Sequence, residues 1–440
     1  MAIMQRLIEK TLFEWKESKS RLPLLMRGAR QVGKTYVVEK FGKEAFSSFV
    51  SVNFEAEPQA IACFESLNPE EILMKLQSIT GQEIRPGKTL LFLDEIQSCP
   101  KAILALRYFK EKLPALHIIG AGSLLEFALI NGKFSFPVGR VQFCYLKPLS
   151  FYEYALARGR KEHLEVLNHC LPHSPPTKKL HEEMLKLVRE YFIIGGMPAA
   201  VSHFCQTVSL NEVSRIHEIL MSTYKADFSK YASETLQNYL KPLFQGIFPL
   251  IAKHFKYSKI DPHVRSREIK NALDHLQWAG LFYSVFASSA ASIPLSAQIK
   301  STQFKMLFLD TGLCGHALEI DPKFLFDKKI DIFNRGAICE QFVGQELLAN
   351  SDPLKEKQLF FWQREKRSSS AEVDYLYTHE SQIYPIEVKA GESGRLRSIK
   401  IFMQEKKCPL GIQVSERPLG KNDGLLSIPF YLLWKIADFL

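Results

Sequence analysis

Cysteine is scarce in this chain, with eight in 440 residues. They stand at positions 63, 99, 144, 170, 205, 314, 339 and 408, and no two form a C-x-x-C pair. That scatter argues against a disulfide framework or a zinc site and favours reduced thiols in a cytoplasmic protein. Long apolar runs are also missing. One stretch without charge, residues 276–299, carries five serines and Pro294, so it reads as strands and turns, and no membrane partner is expected. The amino-terminal residues are amphipathic and charged, unlike a signal peptide. Acids are in deficit, 47 against 57 lysines and arginines, which leaves a net charge of +10 and a pI near 9.0. That surplus favours an anionic partner without choosing among nucleic acid, nucleotide and membrane surface. Apolar content of 46% and charged content of 24% fit a globular chain, long enough for about three domains.

What is present begins with a short apolar strand at residues 22–27 followed by Gly28-Ala29-Arg30-Gln31-Val32-Gly33-Lys34-Thr35 and then a helical pattern. Polyphosphate needs a ring of backbone N–H donors, and glycines let the backbone wrap that closely. The helix that follows points its unpaired N–H groups at the anion, Lys34 would reach the β- and γ-phosphates, and Thr35 would hold Mg²⁺. All eight residues of this Walker A loop are candidate nucleotide contacts, with ATP as ligand.

Alternating strands and helices around such a loop predict a parallel α/β sheet with its site at the strands' carboxyl ends. Residues 89–95, Thr-Leu-Leu-Phe-Leu-Asp-Glu, read as a buried strand ending in two acids. Asp94 there can orient the Mg²⁺ shell and Glu95 can polarise the attacking water. The strand ending at Asp310 has the same shape but lacks the second acid. Ser123, after the strand at 116–119, reads equally as a γ-phosphate sensor or as a cap of the next helix. Arg140 reads as an arginine finger or as a surface ion pair.

Gly28-Ala-Arg-Gln-Val-Gly-Lys-Thr35, Leu91-Phe-Leu-Asp-Glu-Ile-Gln97, Pro137-Val-Gly-Arg140 and residues 146–154 resemble a widespread prokaryotic family of AAA+-type ATPases with an uncharacterised carboxyl-terminal region. Gly195-Gly-Met-Pro-Ala-Ala-Val201 and the last hundred residues match as well. The resemblance implies that Lys34, Thr35, Asp94 and Glu95 are the nucleotide and Mg²⁺ residues. An ATPase core at 1–150 and a helical lid or linker at 151–235 follow. Oligomers are an open expectation.

Residues 236–315 read as helix, turn, helix and β-hairpin, a winged helix, and the resembling family has one here too. Arg265, Arg267, Lys270 and Asn271 fall at the start of the second helix, where base and phosphate contacts are made. DNA is one expected partner, and a basic face used for protein contacts is the alternative. Residues 316–440 hold a helix glutamate, Glu340, a strand aspartate, Asp374, and Glu387-Val-Lys389 on the next strand. The order resembles the PD-(D/E)xK nuclease core. Glu340, Asp374 and Glu387 would converge on a second Mg²⁺ or Mn²⁺, with Lys389 steadying the water. Glu-x-Lys occurs five times in the chain, so only its place in an apolar strand singles out this copy. The alternative is a buried salt-bridge network retained from a nuclease ancestor, holding DNA without cutting it.

Overall fold

The structure is a computed structural model and describes residues 4–131, 137, 139–321, 335–364, 371–391 and 396–440. Phe136 and Val138 of the expected arginine turn, and the expected helix start at Phe333 and Asn334, lie outside the described residues.

Five strands, β1 (Leu24–Arg27), β2 (Ser48–Asn53), β3 (Thr89–Asp94), β4 (His117–Ala121) and β5 (Gln142–Tyr145), form a parallel sheet in the order β2-β3-β4-β1-β5. All six residues of β3 are buried, as a strand covered on both faces requires. The alternation of β3 sorts the core. Leu90 and Phe92 pack with Leu12, Trp15, Val37 and Phe41 of helices Ile8–Glu17 and Lys34–Ala45. Leu91 and Leu93 pack with Ile72, Leu76, Ile103 and Leu106 of helices Pro69–Thr80 and Pro100–Lys112. Gly42 is required where helix meets sheet, because a Cβ there would stand 2.2 Å from the Phe49 ring. The strand order sets the carboxyl ends of β3, β4 and β1 side by side, and this brings the loop after β1, the acids ending β3 and the turn after β4 to one edge.

Helices Phe151–Ala157, Lys161–Asn168, Lys178–Ile194, Pro198–Thr207 and Leu210–Tyr231 fill the segment expected to be helical. The first begins with a capping box, Ser150 accepting from Glu153 N while the Glu153 carboxylate accepts from Ser150 N. The first helix of the expected winged helix, which helical periodicity carries over 241–255, instead spans Glu234–Gly246, capped by Ser233. Beyond a 3-10 turn at Phe248–Leu250, the chain lies beside the later hairpin, Ile251 against Met306 and His254 against Lys305. Sheet pairing there overrides the helical periodicity. The expected second helix spans Ser266–Trp278.

Eight strands make the second sheet: β6 (Phe282–Ser288), β7 (Ile299–Phe308), β8 (Leu359–Gln363), β9 (Glu372–His379), β10 (Gln382–Val388), β11 (Gly411–Ser415), β12 (Gly420–Asn422) and β13 (Leu425–Pro429). Their order is β12-β13-β11-β10-β9-β8-β6-β7. β6 pairs in parallel with β8, so strands on both sides of the boundary expected at 315/316 share one sheet. Helix Arg335–Ala349 packs against both β7 and β10.

One continuous core runs from Met4 to Phe439 and includes residues of every region. Polar contacts lock the parts further. The buried Glu346 carboxylate accepts from Phe151 N at 2.8 Å, and Lys435 Nζ donates to the Leu167, Asn168 and Cys170 carbonyls that end helix Lys161–Asn168. Buried Asp310 accepts from Gly196 N at 2.6 Å and caps helix Thr311–Ala317. None of the eight cysteines is in a disulfide. Among the described residues no helix is long and apolar enough to cross a membrane.

Candidate nucleotide site and a second charged cluster

The loop after β1 uses a conformation that only part of the residue alphabet tolerates. Gly28, Gln31 and Gly33 all have positive φ, at 152°, 65° and 95°. A Cβ on Gly28 would stand 2.3 Å from the Leu146 carbonyl oxygen, so this glycine is fixed by packing as well as by φ. Lys34 opens the next helix and turns its amine into the loop, donating to Gly28 O at 2.8 Å and Ala29 O at 2.9 Å. Burial lowers its pKa to about 8, although Glu95 and Asp94 pull the other way.

Thr35 Oγ1 donates to Asp94 Oδ2 at 2.9 Å, and Asn53 Nδ2 reaches the same oxygen at 3.4 Å. Burial raises the Asp94 pKa, with the Thr35 hydrogen bond opposing it. Glu95 has a left-handed backbone, φ 49°, uncommon for a residue with a Cβ. Its carboxylate accepts from Gln97 Nε2 at 2.6 Å. Ser123 is buried just past β4, beside a cleft of about 350 Å³ that Arg27, Gly28, Lys147, Gln277 and Tyr283 also line. Loop residues 28–35, Asp94, Glu95 and Ser123 thus gather at one sheet edge.

Arg140 does not join them. It precedes β5, whose register pairs Leu24 with Gln142 and Arg27 with Tyr145, so it lies at the edge where the strands begin. It is half-exposed and pairs with Glu111 at 3.1 Å.

Contacts that the sequence did not reveal surround the loop. Arg6 donates to Val32 O at 3.1 Å, to Lys147 O at 2.7 Å and to buried Glu153 at 2.9 Å. Arg30 pairs with Asp227 of helix Leu210–Tyr231 at 2.8 Å, and Tyr224 of that helix donates to Arg30 O at 3.2 Å. Gly280, directly after helix Ser266–Trp278, presses on the loop: a Cβ there would meet Ala29 N at 3.2 Å. These residues are distant in sequence and carry no motif. The Ser150-x-x-Glu153 capping pattern is the one sequence signal that could have pointed to Glu153, and it does not figure among the sequence expectations.

The second cluster is centred on a residue that the motif does not contain. Lys305 of β7 is buried, and its Nζ lies 2.5 Å from Glu372 Oε1, 3.4 Å from Glu340 Oε2 and 3.8 Å from Asp374 Oδ1. Its ammonium also sits over the Phe361 ring, 5.2 Å from the centroid. His254 closes on the other Glu372 oxygen at 2.5 Å. Asp374 Oδ2 accepts from Val388 N at 2.7 Å. Glu387 Oε1 pairs with Lys389 at 2.5 Å, while Glu387 Oε2 is buried with no hydrogen-bond partner among the described residues. The structure therefore joins Glu340 and Asp374 through Lys305 and sets Glu387 with Lys389 beside them. Burial, then the neighbouring Asp374, raises the Glu340 pKa to about 8 and the Glu387 pKa to about 7. Lys305 is shifted upward: its three carboxylate neighbours together outweigh the burial that opposes its charge. Among the described residues no three His, Cys, Asp or Glu side chains are grouped as metal ligands.

Residues 20–155 match the family model of an AAA domain. Residues 185–323 and 335–433 match two domains of unknown function, DUF8612 and DUF4143. No curated protein matches the chain. Solved structures resemble it at low identity. The Walker-type ATPase PABY2304 of Pyrococcus abyssi is 14% identical with a TM-score of 0.46, over 72% of this chain and 96% of that one. The ORC2 protein of Aeropyrum pernix, solved as ADPNP–ADP complexes, is 14% identical at 0.35, over 73% and 95%. The RuvB branch-migration motor of Thermotoga maritima is 15% identical at 0.30, over 62% and 87%. Residues 20–155 thus match an AAA domain whose first loop has the phosphate-loop sequence and backbone, followed here by two regions that match domains of unknown function.

Proposed function

We propose that this chain is a Mg²⁺-dependent ATPase that couples its nucleotide state to DNA binding. The observation that carries the first half is the joined pair Thr35–Asp94 beside an amine, Lys34, held only by backbone oxygens. The hydroxyl and carboxylate are hard oxygen donors and fit Mg²⁺. Bound there, Mg²⁺ would neutralise charge on the phosphates. Lys34 exchanges its two carbonyl partners for phosphate oxygens. Glu95 orients the attacking water and takes its proton, once Gln97 releases the carboxylate. Ser123 stands where a hydroxyl can meet the terminal phosphate or the water. Arg140 would act on a neighbouring subunit, because its own phosphate loop lies at the opposite edge.

The coupling half rests on Gly280. The second helix of the winged-helix reading, Ser266–Trp278, exposes Arg265, Arg267, Lys270 and Asn271 at its start and ends on the phosphate loop. A change in the loop would thus push directly on the element that carries the basic residues. The carboxyl-terminal sheet supports a nuclease-like reading in which Glu340, Asp374, Glu387 and Lys389 keep the expected order on helix and strands. As its side chains stand, that donor set does not fit a second divalent cation: an internal ammonium lies among Glu340, Glu372 and Asp374, and Val388 N occupies one Asp374 oxygen. We therefore propose no cleavage step there, and any hold on nucleic acid falls to the surface of that region rather than to its buried carboxylates. A module that grips protein instead remains the second reading, since the exposed basic face suits either partner.

Steady-state ATP hydrolysis with and without duplex DNA, for wild type and Lys34→Ala, tests the proposal. Turnover that depends on Lys34 and changes with DNA is expected. Turnover indifferent to DNA across low salt would move the coupling to a protein partner, and turnover indifferent to Lys34 would remove this loop from catalysis.

A further inference from the structure

We propose that Lys305 is the resident cation of the carboxyl-terminal carboxylate cluster and closes it to divalent metal. The proposal rests on the nuclease-like reading of that cluster. Three carboxylates from two elements, Glu340 on helix Arg335–Ala349 and Glu372 and Asp374 on β9, face one ammonium within 3.8 Å. Buried like charges need an opposite charge among them, and Lys305 supplies it from a different strand. Phe361 beneath the amine adds the face of an aromatic ring, which attracts an organic cation. A hydrated metal ion would gain no comparable contact.

The position of Lys305 in the chain gives the arrangement its second feature. β7 is one edge strand of the sheet, and β6 and β8 separate it from β9. The amine therefore reaches past two intervening strands, fastening the hairpin to β9 and to helix Arg335–Ala349 through their carboxylates. What stays open is Glu387 Oε2, next to Asp374, a buried oxygen without a partner among the described residues. Removing the Lys305 charge would leave that oxygen and the Glu340 and Asp374 carboxylates as a hard-oxygen donor set.

Mn²⁺ binding to the nucleotide-free full chain, followed by electron paramagnetic resonance, tests this. Wild type and Asp374→Asn should bind Mn²⁺ alike, so that no Asp374-dependent site exists. Lys305→Met should gain one site about tenfold or more tighter than anything in wild type, the scale on which neighbouring groups tune metal affinity. Adding Asp374→Asn should abolish it. An Asp374-dependent site already present in wild type would overturn the role of Lys305 while leaving the metal-type reading of the cluster intact. Folded Lys305→Met without any Mn²⁺ site would overturn that reading, and the proposal with it. If Lys305→Met melts early in chelator, Mn²⁺ should restore its melting transition, and failure to do so would count equally against the proposal.

Discussion

Lys34 and Lys305 are both buried amines in one chain, and their surroundings push them in opposite directions. Lys34 meets two carbonyl oxygens and, among the described residues, no carboxylate within hydrogen-bond reach, and burial lowers its pKa to about 8. Lys305 meets three carboxylates and an aromatic face and is shifted upward. A buried cation without an anion is an incomplete interaction. On the proposed function, the first lysine is the one that receives an anionic ligand. The second is already satisfied, and serves as a counter-ion that holds elements together. The same residue type is left without a carboxylate partner in one region and surrounded by carboxylates in the other.

The sharpest way to break this contrast is to ask whether chemistry occurs beside Lys34. Glu95→Gln should retain ATP while its turnover falls about 10²–10⁴-fold, the range for loss of a general base. Multiple-turnover hydrolysis with parallel nucleotide binding measures both quantities. Unchanged turnover would remove Glu95 from the reaction.

Next in size is the proposed DNA contact. Neutralising Arg265, Arg267 and Lys270 together should weaken duplex binding and reduce the slope of log affinity against log salt by about 2–3, as the loss of three phosphate contacts requires. Fluorescence anisotropy across a salt series reads it. A slope equal to that of wild type would place the DNA elsewhere or favour a protein partner.

Proton linkage separates the two lysines more finely. Phosphate favours the charged amine, so with a free-state pKa of about 8 Lys34 must take up a proton on binding above that pH. ATP affinity should hold between pH 6.5 and 7.5 and then fall as pH rises through 8, by up to about tenfold per unit. A flat profile to pH 9.5 would show that Lys34 is charged throughout.

The smallest expected effect lies in the second cluster. Glu387 is raised to about 7 and Glu340 to about 8, so between their unfolded values and these the folded chain binds more protons than the unfolded one. The contribution of these two groups to stability therefore falls as pH rises from about 5 to 8. Glu387→Gln should flatten part of that fall in a series of thermal melts, and an unchanged profile would sink the assignment.

The two regions also differ in how much the sequence disclosed. The phosphate loop is local: eight consecutive residues define it, and its partners Asp94 and Glu95 end an apolar strand whose pattern is visible in one dimension. The parallel sheet follows from the same alternation. The carboxyl-terminal cluster is assembled from β7, β9, β10 and a helix, and its central residue stands in a hairpin assigned beforehand to a different domain. Nothing in Phe304-Lys305-Met306 signals that the lysine would turn inward. The joining of hairpin and later strands through β6 and β8 was hidden for the same reason, since Leu359–Gln363 is a short run whose partner strand lies far away in sequence. The contacts of Arg6, Asp227 and Gly280 with the phosphate loop are likewise products of packing.

Equilibrium titration of a fluorescent ATP analogue with Mg²⁺ into wild type, Lys34→Ala and Lys305→Met tests the contrast most directly. The account predicts a single saturable site in wild type. Lys34→Ala should weaken it about 10–100-fold, as expected for a charged hydrogen-bonding group, and Lys305→Met, provided it folds, should leave it within about twofold. Equal affinity in wild type and Lys34→Ala would contradict the account.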